Sequence, residues 1–400
     1  MKSCAPILLA GSLFAGCSDD ADPASEAAPT AGAGERSGAE ERATAAAASG
    51  LPQPQTEAAL LDCEPVNGFT VHCGYRNPED LVLVPDGEAL IVSEMGEFMM
   101  DTPGRLSTLE LASGTRGEIA VDFAQDGAAW GDPACEAPDV AAFSPHGIDL
   151  VTRADGRHAL LVVNHGGREA VEFFELLGEG EDRRLAWRGC ALPPGDPFIN
   201  DVSGLRDGGF LVTHMWNKSL PFEEIVVRLE RGENLGWVWA WDPETGFARL
   251  GGSDDLMPNG IALSPDERSV FVNIYLGNRT LRIDRASGEA DGAFEVRQPD
   301  NVTVGADGEL WVASHQHDPI GQNCNEVTAG PCLLPYEIVR ADPRTLATEV
   351  VLEGDGPPMG YATVALPVGD RLYLGSAHGD RIVSVPIGEA AEADESAEDG

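Results

Sequence analysis

Residues 81–94 read LVLVPDGEALIVSE. Two short apolar runs flank Asp86-Gly87, a turn that lets a chain reverse without splaying its strands. The phrase returns five times: IDLVTRADGRHALLVVNH at 148–165, VSGLRDGGFLVTH at 202–214, IALSPDERSVFVNI at 261–274, VTVGADGELWVASH at 302–315 and ATVALPVGDRLYLGSAH at 362–378. The phrases start near 80, 147, 201, 260, 301 and 361, about 56 residues apart on average. A repeat of this size holding several strands is the mark of a propeller blade. Further strand-like runs lie between them, such as EIVVRL (224–229), TLRIDR (280–285) and YEIVRAD (336–342). Each interval can supply about four strands, and no long stretch shows a helical period. The expected fold is all-β, a six-bladed β-propeller with four-stranded antiparallel blades. A pair of β-sandwiches would not explain the constant phrase. A strand around Phe69–Cys73 is expected to close the circle beside Arg381–Pro386.

The ends differ from this body. Residues 1–17 read MKSCAPILLAGSLFAGC, one lysine and an apolar run too short to span a bilayer, as in a signal h-region. Leu13–Cys17 resembles a bacterial lipoprotein cleavage box, with Cys17 the lipidated residue; an ordinary secretion signal is the alternative. Residues 18–60 are rich in Ala, Gly, Ser, Pro, Asp and Glu and read as a disordered tether. Residues 61–388 form the expected propeller, and 389–400 an acidic tail. The protein is therefore expected to be exported to a bacterial cell envelope and to touch membrane only through Cys17.

The net charge is −41, and lysine occurs only at positions 2 and 218. Phosphate binding needs clustered cations, so a nucleic-acid partner is excluded. Most of the acid reads as solvated surface; a few carboxylates can serve a hard cation. Beyond Cys4 and Cys17 six cysteines remain, which in an oxidising compartment suggests disulfides. Spacing leaves fifteen connectivities open. Cys63–Cys73, Cys135–Cys190 and Cys324–Cys332 is the expected pairing. The absence of a CxxC spacing argues against structural zinc.

Each first strand follows a polar pair: Glu79-Asp80, His146-Gly147, Asn200-Asp201, Asn259-Gly260, Asp300-Asn301 and, in the last repeat, Gly360-Tyr361. In four repeats the second member stands six residues before the turn aspartate. Equal register in equal blades means equal position, so these side chains should crowd one mouth of the axial channel. Carboxylates brought together there repel, and a divalent cation relieves this. Oxygen donors without thiols select calcium. The second strands also end alike, at Ser93-Glu94, Asn164-His165, Thr213-His214, Val272-Asn273, Ser314-His315 and Ala377-His378; whether they lie at the same mouth stays open.

FSPHGID (143–149) and LLVVNH (160–165) resemble paired signatures of the paraoxonase/arylesterase family, calcium-dependent six-bladed propellers. The likeness runs in order through CEPVNGF (63–69), PEDLVLVPDG (78–87), INDVSGL (199–205), PNGIALSPD (258–266), PDNVTV (299–304), LWVASH (310–315) and LYLGSAH (372–378). Gluconolactonase and strictosidine-synthase-like propellers share parts of it. The resemblance implies two calcium ions. The catalytic ion would be held by Glu79, Asn200, Asn259, Asp300 and Asn301. The structural ion would use Asp80, Asp201 and the backbone carbonyl of Ile148. His146 and His165 match the family's histidine dyad, and His315 a further active-site histidine of less defined role.

The implied activity is hydrolysis of a small-molecule lactone or aryl ester, with calcium polarising the carbonyl and His146 activating water while His165 relays the proton. A sugar-lactone hydrolase and a non-catalytic, calcium-braced binding propeller are the alternatives. Some features depart from the family. RIVSVPIG (381–388) has no cysteine for the disulfide expected from Cys63, Gly166-Gly167 follow the second histidine, and residues 213–227 lack an expected Asp-His pair.

Overall fold

The computed structural model describes residues 62–97, 102–124, 129–319, 322–324 and 327–387. Cys17, the leader, the tether and the acidic tail lie outside the described residues. Six sheets follow one another along the chain, five of four strands and one of five. The six-bladed propeller is as expected. In each blade the phrase forms the first two strands, for example Pro78–Leu83 and Ala89–Glu94 in blade 1. The first strands of successive blades touch in sequence around a ring, and blade 6 touches blade 1.

Strand alternation explains why the second strands read as nearly continuous apolar runs. Leu160 and Val162 pack toward blade 1, whereas Leu161 and Val163 pack toward blade 3. In blade 1, Ala89 and Ile91 meet blade 2, and Leu90 and Val92 meet blade 6. Successive side chains point to opposite faces, and both faces of a blade are covered.

The last blade takes its outer strand, Thr70–Cys73, from the front of the chain, pairing Thr70 with Ser384 and Cys73 with Arg381. Strand pairing and polar clips close the ring. Arg371 donates to Thr70 Oγ1 (2.9 Å), and Arg381 to the Asp62 carbonyl (3.0 Å).

The structure corrects three expectations. EIVVRL is not a strand but part of a helix, Phe222–Glu230. Ile225 and Leu229 anchor it on Phe198, Met215 and Trp216. Blade 2 gains a fifth strand, Ala120–Asp122, parallel to Arg184–Ala191. In blade 6 the polar pair is not Gly360-Tyr361: the register shift falls between Ala362 and Val364, which makes Thr363-Val364 the equivalent.

The disulfides are Cys63–Cys73, Cys135–Cys190 and Cys324–Cys332, the pairing expected. Cys135–Cys190 closes a sequence separation of 55 beneath the blade 1–2 core. In the chain-entropy view such a loop is worth about 4 kcal/mol. Cys135→Ser/Cys190→Ser should lower unfolding stability by about that much in denaturant titration, and an unchanged midpoint would contradict it.

Candidate active site

All six first strands break register with their partners at the polar pair, as between Pro78 and Asp80, Pro145 and Ile148, or Pro299 and Val302. A bulge re-aims the side chains it carries. Here it does so at equivalent positions around the axis. The second residues of the pairs are Asp80, Gly147, Asp201, Gly260, Asn301 and Val364, with glycine in blades 2 and 4. The glycines are required by close approach. A Cβ on Gly147 would lie 2.5 Å from Asp201 Oδ1, and one on Gly260 2.4 Å from the Asp300 carbonyl.

Side chains stitch every neighbouring pair of blades around the channel. Asp80 Oδ2 accepts from the Ile148 amide (2.7 Å), Asp149 Oδ2 from Gly204 (2.7 Å) and Asp201 Oδ2 from Ile261 (2.8 Å). Asn273 and Thr303 donate to the carbonyls of Asp300 and Ala365. Thr363 closes the ring onto the Glu79 carbonyl (2.7 Å). The second strands end at the same mouth, since Pro78 pairs with Glu94, Pro145 with Asn164 and Pro299 with Ser314.

Above this ring opens a cavity of about 1020 Å³, lined among others by Glu79, His146, Asn200, Asn259, Asp300 and His315. Asn301 donates through Nδ2 to Glu79 Oε1 (2.8 Å), and Asn259 hydrogen-bonds the Asp300 carboxylate. The amide nitrogens are thus used, but the oxygens are not. Glu79 Oε2, Asn200 Oδ1, Asn259 Oδ1 and Asn301 Oδ1 are buried without a hydrogen-bond partner. Leaving one such atom unmatched costs about 1–3 kcal/mol. Four in one ring call for a positive partner.

Burial and mutual repulsion say the same. Burial raises Glu79 well above the usual carboxylate range, and Asp80, Asp300 and Asp201 add to it. Burial pushes Asp300 up to about 8, against the opposing Asn259 hydrogen bond. A hard divalent ion held by Glu79, Asn200, Asn259, Asp300 and Asn301 would meet the orphaned oxygens and the repulsion together. Among the described residues no three His, Cys, Asp or Glu side chains form a metal-holding group alone. This set is three parts amide, which suits calcium rather than a softer metal.

The deeper set is different. Asp80 and Asp201 each accept backbone amides on both oxygens, from Leu81 and Ile148 and from Val202 and Ile261. Ile148 engages Asp80 through its amide N–H. Neither Asp80 nor Asp201 has an orphaned oxygen like those of the outer set.

His146 Nδ1 and His165 Nε2 stand 2.7 Å apart. His146 Nε2 lies 3.6 Å from Glu79 Oε1, at the edge of the donor ring. Burial, and then His165, lowers the His146 pKa well below its ordinary value, so the imidazole is neutral. His315 meets Tyr275 Oη through Nδ1 (2.9 Å) and the Ala362 carbonyl through Nε2 (3.0 Å). A carbonyl only accepts, so Nε2 carries the proton and the tyrosine donates to Nδ1. Burial, then His317, lowers His315 to about 3, so its 3.4 Å approach to Asp300 is not an ion pair.

No family model matches the chain. Two plant proteins, strictosidine synthase-like 4 and 13 of Arabidopsis thaliana, are each 25% identical over 175 and 201 residues. The matched stretches cover 43% and 46% of this chain and 42% and 47% of the relatives, so the match spans less than half their length. Among solved structures, a gluconolactonase from Xanthomonas campestris is 16% identical with a TM-score of 0.47, covering 84% of this chain and 94% of that one. The calcium-binding regucalcin of Agrobacterium tumefaciens is 16% identical with a TM-score of 0.45, covering 78% and 91%.

Several residues at the site were not singled out from sequence. Glu169 holds His165 Nδ1 at 2.9 Å, and Lys218 reaches Glu169 at 2.8 Å. Tyr275 lines the cavity beside His315, next to Tyr361 of the pair named from sequence. Ile225, Val226 and Leu229 of the helix form an apolar wall with Met215, Trp216 and Met257. Two signals pointed that way: Glu169 follows His165 by four residues, and Lys218 is the only lysine of the body.

Proposed function

We propose that this chain is a calcium-dependent hydrolase of lactones and aryl esters, acting at the channel mouth. The observation that carries it is the four orphaned, buried oxygens beside His146, which lines the same cavity and meets His165 behind it. Calcium, when bound by Glu79, Asn200, Asn259, Asp300 and Asn301, supplies a Lewis acid for the ester carbonyl. His146 takes a proton from water at Nε2 and passes its Nδ1 proton to His165. The released hydroxide adds to the carbonyl carbon, and the proton returns to the leaving oxygen as the C–O bond breaks. His315, neutral and held by Tyr275 and Ala362, shapes the opposite side. Asp80, Asp201 and Ile148 are proposed for a second, structural ion, and Cys17 for a lipid anchor at the bacterial cell envelope.

The apolar wall of residues 215–229 favours a hydrocarbon-bearing substrate over a sugar lactone. A panel of alkyl-substituted lactones, phenyl acetate and gluconolactone, each with calcium and with EDTA, tests the reading. We expect calcium-dependent turnover of the first two classes. Turnover of gluconolactone alone would make the protein a sugar-lactone hydrolase, and silence across the panel a binding propeller. Val226→Asp should raise KM for a long-chain lactone about tenfold and leave kcat nearly unchanged. Equal KM values in variant and parent would remove the wall from the binding site.

A further inference from the structure

The dyad does not fix its own tautomers. With one proton on each ring, the protons can be ordered in either direction along the 2.7 Å contact, and only one order leaves a basic nitrogen of His146 toward the cavity. Something must choose, and the structure holds a candidate on the far side of His165.

Glu169 brings both carboxylate oxygens to His165 Nδ1, at 3.0 and 2.9 Å. The carboxylate is buried and is itself pinned. Lys218 Nζ donates to Oε1 at 2.8 Å, and the Ile199 amide to Oε2 at 3.2 Å. Burial raises its pKa, but His165 and Lys218 outweigh this and hold it below the usual range, so it is ionised. The His165 ring is stacked flat on Phe198, with centroids 4.8 Å apart and planes 5° apart, and Phe198 stacks in turn on Trp216. Lys218 also stands over the Phe198 ring, 5.6 Å from its centroid. The His165 backbone amide donates to the Ser144 carbonyl. Ring plane, ring edge and main chain are therefore all held.

An ionised carboxylate can only accept, so His165 Nδ1 carries the proton. When each ring of the dyad carries one proton, His165 Nε2 bears the lone pair and accepts from His146 Nδ1. In neutral His146 the remaining lone pair falls on Nε2, the nitrogen 3.6 Å from Glu79 in the cavity wall. We infer that Glu169, braced by Lys218, is a positioning residue that sets the proton order of the dyad and so presents His146 to the cavity as a base. The inference rests on the hydrolase reading only for its consequence in turnover; the proton order is a property of the fold. When a water proton reaches His146 Nε2 and the Nδ1 proton passes to His165, the imidazolium formed faces the Glu169 carboxylate, which stabilises it.

The test pairs a spectroscopic readout with kinetics. Long-range proton–nitrogen spectra of histidine-labelled protein should show Nδ1–H on both His165 and His146. Glu169→Ala should shift His165 toward a mixture of tautomers, and kcat should fall about 10–100-fold with KM within about threefold. Lys218→Met should shift both in the same direction by less, and Lys218→Arg should restore them. If Glu169→Ala does not fold, Lys218→Met decides. Nδ1 unprotonated on His165 in the parent protein, or tautomers and kcat unchanged in both variants, would overturn the inference. Should the parent hydrolyse nothing while the tautomers still follow Glu169, the hydrolase reading fails and the inference stands.

Discussion

Dialysis against EDTA should abolish ester and lactone hydrolysis and lower the melting temperature, and added calcium should restore both. Without an ion, Glu79, Asp80, Asp201 and Asp300 stand buried in one ring, with four oxygens unmatched. An ion at about a hundred times its dissociation constant adds about 2.7 kcal/mol, several degrees in melting temperature for a domain of this size. The effect should depend on pH with a defined sign. Burial pushes Asp80 up to about 7 and Asp300 up to about 8, from the ordinary aspartate value of 3.8. In the metal-free protein the fold therefore holds protons that the unfolded chain has already lost. Stability from these groups is fully present below pH ~4 and is lost as pH rises toward ~8. Calcium keeps the same carboxylates ionised and removes that slope, so the calcium-induced rise in melting temperature should grow between pH ~5 and ~8. A calcium effect equal at both ends of that range would contradict the donor assignment.

His146→Gln should reduce kcat by about 10²–10⁴ and spare the calcium-dependent rise in melting temperature. The two halves belong together. His146 sits at the rim, 3.6 Å from Glu79, and supplies no atom to the orphaned oxygen set. Its removal takes the base and leaves the donors. Burial and His165 keep the ring neutral over the working range, so the loss should be one of turnover at every pH above neutrality. Stopped-flow or steady-state assays on phenyl acetate with differential scanning fluorimetry would read both quantities. Turnover within about tenfold of the parent would move the base elsewhere, and His315, across the ring from His146, would be next to test.

The ring was legible in the sequence because it is a consequence of register. Glu79, Asn200, Asn259 and Asp300 each stand one bulge ahead of a hairpin, and a hairpin announces itself through its turn and its paired apolar runs. The small–large contrast between Gly147 and Asp201 was visible as letters but not as a packing rule, since it depends on two first strands meeting side by side.

What escaped was set by tertiary context. EIVVRL has the β-branched composition of a strand, yet behind Pro221 it helps form a nine-residue helix because Ile225 and Leu229 find Phe198 and Trp216 beneath them. Ala120–Asp122 is three residues long and carries no apolar alternation, so nothing local marks it. In blade 6 the hairpin turn is shorter, and the bulge lies three residues along from Gly360-Tyr361. Glu169 lies in a loop, outside strand register, and reaches His165 only because the chain doubles back through Gly166 and Gly167.

The most direct test of the ring is a crystal structure of the protein grown with calcium, examined by anomalous scattering. The account predicts one ion at the channel mouth, about 2.3–2.6 Å from oxygens of Glu79, Asn200, Asn259, Asp300 and Asn301. An empty mouth at saturating calcium, or an ion bound to none of the four orphaned oxygens, would contradict it.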